Sequence, residues 1–161
     1  MNEFAHPDCC GELFGKFQFQ NMPAAEPPNK KGVYAIRVKR RGKASSEIVA
    51  QVKQLVDKLG WSQVGDFILR RVRRLERIGQ CAIIYIGSAG TRPESKNTLS
   101  KRYKEFSGRH TAMYPIWALV YFGWKLEFGW IEEESAGRTE TEIKEQYKQK
   151  HHGRLPALVQ R

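Results

Sequence analysis

Gly32-Val33-Tyr34-Ala35-Ile36-Arg37-Val38 and Cys81-Ala82-Ile83-Ile84-Tyr85-Ile86-Gly87 decide how this chain folds. The first is rich in β-formers and alternates toward its end, so it reads as a strand over 32–38. The second is a short continuous apolar run, which predicts a buried central strand over 81–87. Each presents a tyrosine beside a glycine. A tyrosine on a strand is by itself most often a packing residue, so any chemistry must come from what accompanies the pair.

Between the two runs lies a helical insertion. Ile48, Val52, Leu55 and Leu59 recur at helical spacing, with Ser45 or Ser46 to open that helix and Gly60 to end it. A second helix is predicted over 64–78, with Phe67, Ile68, Val72, Leu75 and Ile78 on one face and Arg70, Arg71, Arg73, Arg74 and Arg77 on the other. Gly60-Trp61-Ser62 joins the two as a helical hairpin. After the second strand comes a loop, then a helix from Asn97 or Thr98 carrying Leu99, Tyr103 and Phe106 and ending near Gly108. Residues 115–122 and 125–131 read as two more strands around a Gly123-Trp124 turn. A last helix is predicted over 139–150, with Ile143 and Tyr147 inward and Gly153 as its stop. Residues 1–31 read as a loosely organised N-terminal arm and linker, anchored by Phe14, Phe17 and Phe19 and extended at Pro23-Ala24-Ala25-Glu26-Pro27-Pro28. The fold class is α+β: a small mixed or antiparallel sheet flanked by helices, forming one domain over 32–161 with a basic two-helix insertion at 39–80.

The chain has 161 residues, 28 Lys/Arg against 17 Asp/Glu, and a net charge of +11. That excess favours a polyanionic partner. It is concentrated in 37–80, which holds twelve Lys/Arg and four acids. Lys39, Arg40, Arg41, Lys43, Arg70, Arg71, Arg73, Arg74 and Arg77, together with Lys101 further on, are the candidate DNA-binding residues. Phosphate contacts give non-specific affinity, and arginines read guanine edges in the major groove. No run approaches 18 consecutive apolar residues and no signal peptide is evident, so no membrane association and an intracellular, cytoplasmic location are expected. The three cysteines, Cys9, Cys10 and Cys81, suggest a reducing compartment. His6 lies near Cys9, but no four-ligand set of usable spacing can be written, so no structural zinc is expected.

The order Gly32-Val33-Tyr34, then Tyr85-Ile86-Gly87-Ser88-Ala89, then Leu99-Ser100-Lys101-Arg102-Tyr103, then Glu140-Thr141-Glu142-Ile143-Lys144 with Tyr147 resembles the GIY-YIG nuclease family. The resemblance covers 32–38 and 81–158 and leaves out 1–31 and 39–80. It implies phosphodiester hydrolysis with Mg²⁺ (or Mn²⁺) held by Glu140, with Glu142 the runner-up two residues on. Arg102 would clamp the phosphate with its planar fork. Tyr34 would act as general base or water-orienting group with Tyr85 beside it, and His110 would relay a proton. The chain departs from the family's pattern at Phe106, where a histidine is common, and near its C-terminal end, where His152 or Arg154 stands near the place of an asparagine.

The reading this supports is a restriction-like, sequence-specific DNA endonuclease acting on double-stranded DNA, with a homodimer giving one active site per strand. Homing, mobile-element or repair cutting would use the same chemistry. A catalytically inactive DNA-binding module and an RNA-binding protein are the rival classes.

Overall fold

The computed structural model describes residues 9–106 and 112–159. Its elements in chain order are β1 (Gln18–Asn21), β2 (Gly32–Arg40), α1 (Ser45–Leu59), α2 (Gln63–Val72), a 3-10 turn (Arg73–Arg77), β3 (Ile83–Ala89), α3 (Leu99–Glu105), α4 (Met113–Tyr121), β4 (Lys125–Glu132) and α5 (Ala136–Lys150). The four strands form one sheet in the order β1-β4-β2-β3, every neighbouring pair antiparallel. The class is therefore α+β. No helix among the described residues is long and apolar enough to cross a membrane.

β2 is buried along almost its whole length because both faces of the sheet are covered. Tyr34, Ile36 and Val38 pack on one face with Ile48, Leu99, Phe106, Ile116, Phe128 and Trp130. Val33 and Ala35 pack on the other with Phe14, Phe17, Ile86, Ile143 and Tyr147. The strand-to-strand alternation of side chains thus builds two cores from one strand. α5 belongs to the second core, where Ile143 and Tyr147, one helical turn apart, face the sheet.

Local chemistry accounts for the helix ends. Gly60 takes a left-handed φ of 67° and its N–H bonds the carbonyl of Asp57, closing α1. The Thr98 hydroxyl accepts from the backbone N–H of Lys101 at 3.3 Å, opening α3.

Four expectations are corrected. Residues 115–122 form helix α4, not a strand: Pro115 sits in its first turn, where a missing N–H costs nothing, and Ile116 and Leu119 are fully buried. A short apolar run carries no clear period, so residue composition alone favoured the wrong element. The second insertion helix is not continuous over 64–78; it ends at Val72 and tightens into the 3-10 turn. α5 begins at Ala136, one turn before the expected start, so Glu140 lies beyond its first turn. From Cys9 onward the N-terminal arm is not loose: β1 pairs with β4 from Gln18↔Trp130 to Asn21↔Glu127, and Phe14 and Phe17 are buried. The segment after it is tied to α3, with the N–H of Leu99 bonding Lys30 and that of Ser100 bonding Pro28.

Candidate active site and nucleic-acid interface

Across the β2–β3 pair, Tyr34 lies opposite Gly87 and Ile36 opposite Tyr85. Gly87 leaves the gap that the Tyr34 ring fills: a Cβ there would stand 2.6 Å from Tyr34 Cζ and Oη and 3.0 Å from Tyr85 Cε1. The two tyrosine rings stack with centroids 5.9 Å apart and planes 17° apart. The Tyr34 and Tyr85 hydroxyls are hydrogen-bonded to each other. Phe106 stands edge-on to both rings at 5.9 Å and is itself buried. The position where the resembled family often has histidine is here an apolar wall behind the tyrosine pair.

The two phenols have different access to solvent. Tyr34 is 2% exposed, while Tyr85 is only partly covered. Burial pushes the Tyr34 phenol well above its ordinary value, Tyr85 adds to the rise, and the charge of Arg102 opposes it. Burial also raises Tyr85, against the Tyr34 hydrogen bond; Glu140 adds to the rise, while Arg102 and Arg74 oppose it. Both shifts favour the neutral phenol at pH 7, which suits the water-orienting form of the role expected for Tyr34. A neutral phenol orients a neighbour by hydrogen bonding.

Glu140 arrives from α5. Its carboxylate accepts a hydrogen bond from the Ser88 hydroxyl at the end of β3 and one from Lys144 Nζ at 2.5 Å, one turn along the same helix. The Glu140 side chain is 17% exposed. Glu142 instead faces away, 56% exposed and paired with Arg138 at 3.1 Å. Arg102, on α3, binds Glu105 at 2.9 Å through Nη1. Burial works against its charge, but the Glu105 bond and the two tyrosines outweigh it, so its pKa is raised. Arg74, from the 3-10 turn, comes close enough to Tyr85 to act on its ionisation. Burial lowers the pKa of Arg74, and the charges of Arg71 and Arg77 lower it further.

Two of these guanidinium groups are incompletely satisfied. Arg102 Nε and Arg74 Nη1, like Arg71 Nε, are buried without a hydrogen-bond partner among the described residues. A buried donor left unpaired costs about 1–3 kcal/mol, more when the group is charged.

The structure thus gathers Tyr34, Tyr85, Arg102 and Glu140, with Arg74 added from the basic insertion. His110 lies outside the described residues. Ser88 and Lys144 were not legible as site residues from the sequence, although Ser88 directly follows Gly87.

The basic residues separate into two groups. Arg70, Arg73 and Arg77 are exposed on the hairpin, Lys39 and Arg40 on the end of β2, and Lys101 on α3. Lys39 lies 3.4 Å from Asn21 and 3.8 Å from Glu127. Lys101 Nζ reaches the carbonyl of Lys96 at 3.2 Å. Others are engaged in holding the fold: Arg41 donates to the Gly79 carbonyl and lies over Trp124, and Lys43 lies over Phe122, each cation 5.5 Å from its ring. Arg71 stacks on Phe67 at 3.5 Å.

The expectation that no four-ligand metal set exists is overturned. Cys9, Cys10, Cys81 and His151 converge, with all four donor atoms within 4.8 Å of one another. This cluster lies beyond the C-terminal end of α5, three helical turns from Glu140.

Comparison of the chain with protein-family models, curated proteins and solved structures returns no match.

Proposed function

We propose that this chain is a metal-dependent DNA endonuclease of the GIY-YIG type, restriction-like in reading duplex DNA through its basic helical hairpin. The observation that carries this reading is the pair of buried, unpartnered guanidinium nitrogens on Arg102 and Arg74 around a hydrogen-bonded tyrosine pair, with one anchored carboxylate nearby. A phosphodiester supplies the oxygens that the guanidiniums lack.

In this reading Arg102 and Arg74 hold the non-bridging oxygens and meet the charge that grows on phosphorus. Tyr85, which reaches solvent, orients the attacking water. Tyr34 is a positioning residue, since its hydroxyl holds that of Tyr85 and its ring is locked by Gly87. The donor chemistry suits a hard cation: the Glu140 carboxylate with the Ser88 hydroxyl beside it offers only oxygen, and Mg²⁺ takes one or two carboxylates plus water and phosphate oxygens. Bound there, Mg²⁺ (or Mn²⁺) would supply positive charge at the scissile phosphate. Ser88 and Lys144 keep the carboxylate aimed.

A second reading, DNA binding without catalysis, is favoured by one observation: Lys144 already neutralises Glu140. Plasmid nicking with Mg²⁺ or EDTA separates the two. Cutting is expected in Mg²⁺ alone, lost in Glu140→Ala and kept in Glu142→Ala. Retarded DNA migration with no metal-dependent cutting, on plasmid and genomic DNA alike, would establish the second reading. Tighter binding to RNA than to duplex DNA at equal salt would displace both.

A further inference from the structure

Four soft or borderline donors meet away from the tyrosine site. Cys9 Sγ lies 3.4 Å from His151 Nε2 and 3.8 Å from Cys10 Sγ. Cys10 Sγ lies 3.7 Å from Cys81 Sγ and 3.8 Å from His151 Nε2. A tetrahedral zinc with Zn–S of about 2.3 Å and Zn–N of about 2.0–2.1 Å sets its ligand atoms roughly 3.5–3.8 Å apart. These four separations fall on or beside those edges, and all six lie within 4.8 Å. The donor set, three sulfurs and one imidazole with no carboxylate among them, is a recurrent structural zinc set.

The histidine is prepared for such a role. Its Nδ1 lies 2.7 Å from the Tyr147 carbonyl, which accepts a hydrogen bond when Nδ1 carries the proton. That tautomer leaves Nε2, the atom facing the sulfurs, with a free lone pair. The ring is held by stacking on Tyr147, centroids 3.8 Å apart and planes 11° apart. Three thiolates around a dication leave one negative charge. The cavity on this side is lined by Arg77, Lys150 and Arg154, whose charges offset it.

We propose that Cys9, Cys10, Cys81 and His151 bind one structural Zn²⁺. Its ligands come from three separated parts of the chain: the N-terminal arm, the approach to β3, and the turn that ends α5. The ion ties the arm to the body and pins α5, which carries Glu140, against β3, which carries Tyr85. Binding releases the thiol protons, and no electron transfer is involved. The site stands on geometry away from the tyrosine pair, so it does not depend on the nuclease reading.

The rival arrangement is a Cys10–Cys81 disulfide. The two sulfurs are 3.7 Å apart, against about 2.05 Å in a bonded pair.

The test uses the full chain purified under reducing conditions without chelators. Elemental analysis should find one zinc per chain. Exchange with Co²⁺ should give thiolate-to-cobalt charge-transfer bands and the intense d–d bands of a tetrahedral site. Cys9→Ala and His151→Ala, at positions outside the packed core, should lose the stoichiometric metal. A strong chelator should lower the melting temperature of the wild type but leave that of these variants unmoved. Cys81→Ser is a harsher variant and is read only by its cobalt spectrum if it folds. A chain that carries no zinc and gives no cobalt bands overturns the proposal. So do one zinc per chain retained by both alanine variants, and an intact mass showing a Cys10–Cys81 disulfide without metal.

Discussion

Gly87 leaves no room for a side chain. The hypothetical Cβ meets the hydroxyl end of Tyr34 at 2.6 Å, and Tyr34 is wedged between Tyr85 and Phe128 in the core, so it cannot swing aside. Gly87→Ala is therefore an overpacking change, expected to cost about 1–3 kcal/mol. Denaturant titration checks it: the midpoint should fall with the slope unchanged. An unaltered midpoint would mean the tyrosine pair is looser than its geometry. Tyr34 itself carries a pH signature. Its pKa is raised in the fold above the unfolded value of about 10. Below that pH both states hold the proton and its contribution is constant. Above it the unfolded chain releases the proton first, so stability falls as pH climbs toward the folded value. Tyr34→Phe has no such proton. The stability advantage of wild type over Tyr34→Phe should shrink by about 1.4 kcal/mol per pH unit above pH 10. Unfolding measured at pH 8, 9.5 and 10.5 tests this, and a constant difference across that range would contradict it.

Among the elements, those with a clear period or a terminal signal were legible in the sequence. β2, β3, β4, α1 and α3 lie close to where alternation, apolar runs and end signals put them, although neither Ser45 nor Ser46 caps α1, whose N-cap is Ala44 without a side-chain bond. α4 was misread because Tyr114, Ile116, Trp117, Val120 and Tyr121 are β-formers whose helical face is hidden in a nearly all-apolar segment. β1 was missed because Gln18-Phe19-Gln20-Asn21 is short and becomes a strand only through pairing with β4. The order of Tyr34, Tyr85, Arg102 and Glu140 was legible, whereas the approach of Arg74, on the 3-10 turn after α2, to Tyr85 was not. The cysteine–histidine cluster escaped because its ligands share no local spacing; only the folded chain brings position 151 to positions 9 and 10. The same hairpin offers a prediction about the basic surface. Arg70, Arg73 and Arg77 are exposed and form no ion pair among the described residues. If they grip phosphates, each lost contact should reduce the slope of log binding constant against log salt by about 0.9. Replacing all three by alanine should flatten the slope by about 2–3 and weaken binding to unrelated duplexes alike, as read by fluorescence anisotropy across a salt series. An unchanged slope would assign this face to something other than DNA backbone.

For the whole molecule, the decisive question is whether the N-terminal arm is an appendage or part of the fold. It contributes a strand to the sheet, two buried phenylalanines to the second core and two of the four clustered metal donors. Phe19 also lies against Gly129, where a Cβ would stand 2.4 Å from its ring. Burying Phe14 and Phe17 is worth about 1.5–3 kcal/mol each, against a typical total stability of about 5–15 kcal/mol. Without the arm, β4 becomes a bare edge strand beside exposed Ile143 and Tyr147, which invites aggregation. A chain beginning at Pro23 should therefore express insolubly or unfold without a cooperative transition. Phe14→Ala with Phe17→Ala in the full chain keeps Cys9 and Cys10, and so isolates packing from metal binding. That double variant should remain folded but lose several kcal/mol in urea titration. A truncated chain with an unchanged, cooperative midpoint would show the arm to be dispensable, and the second core would then be built by α5 alone.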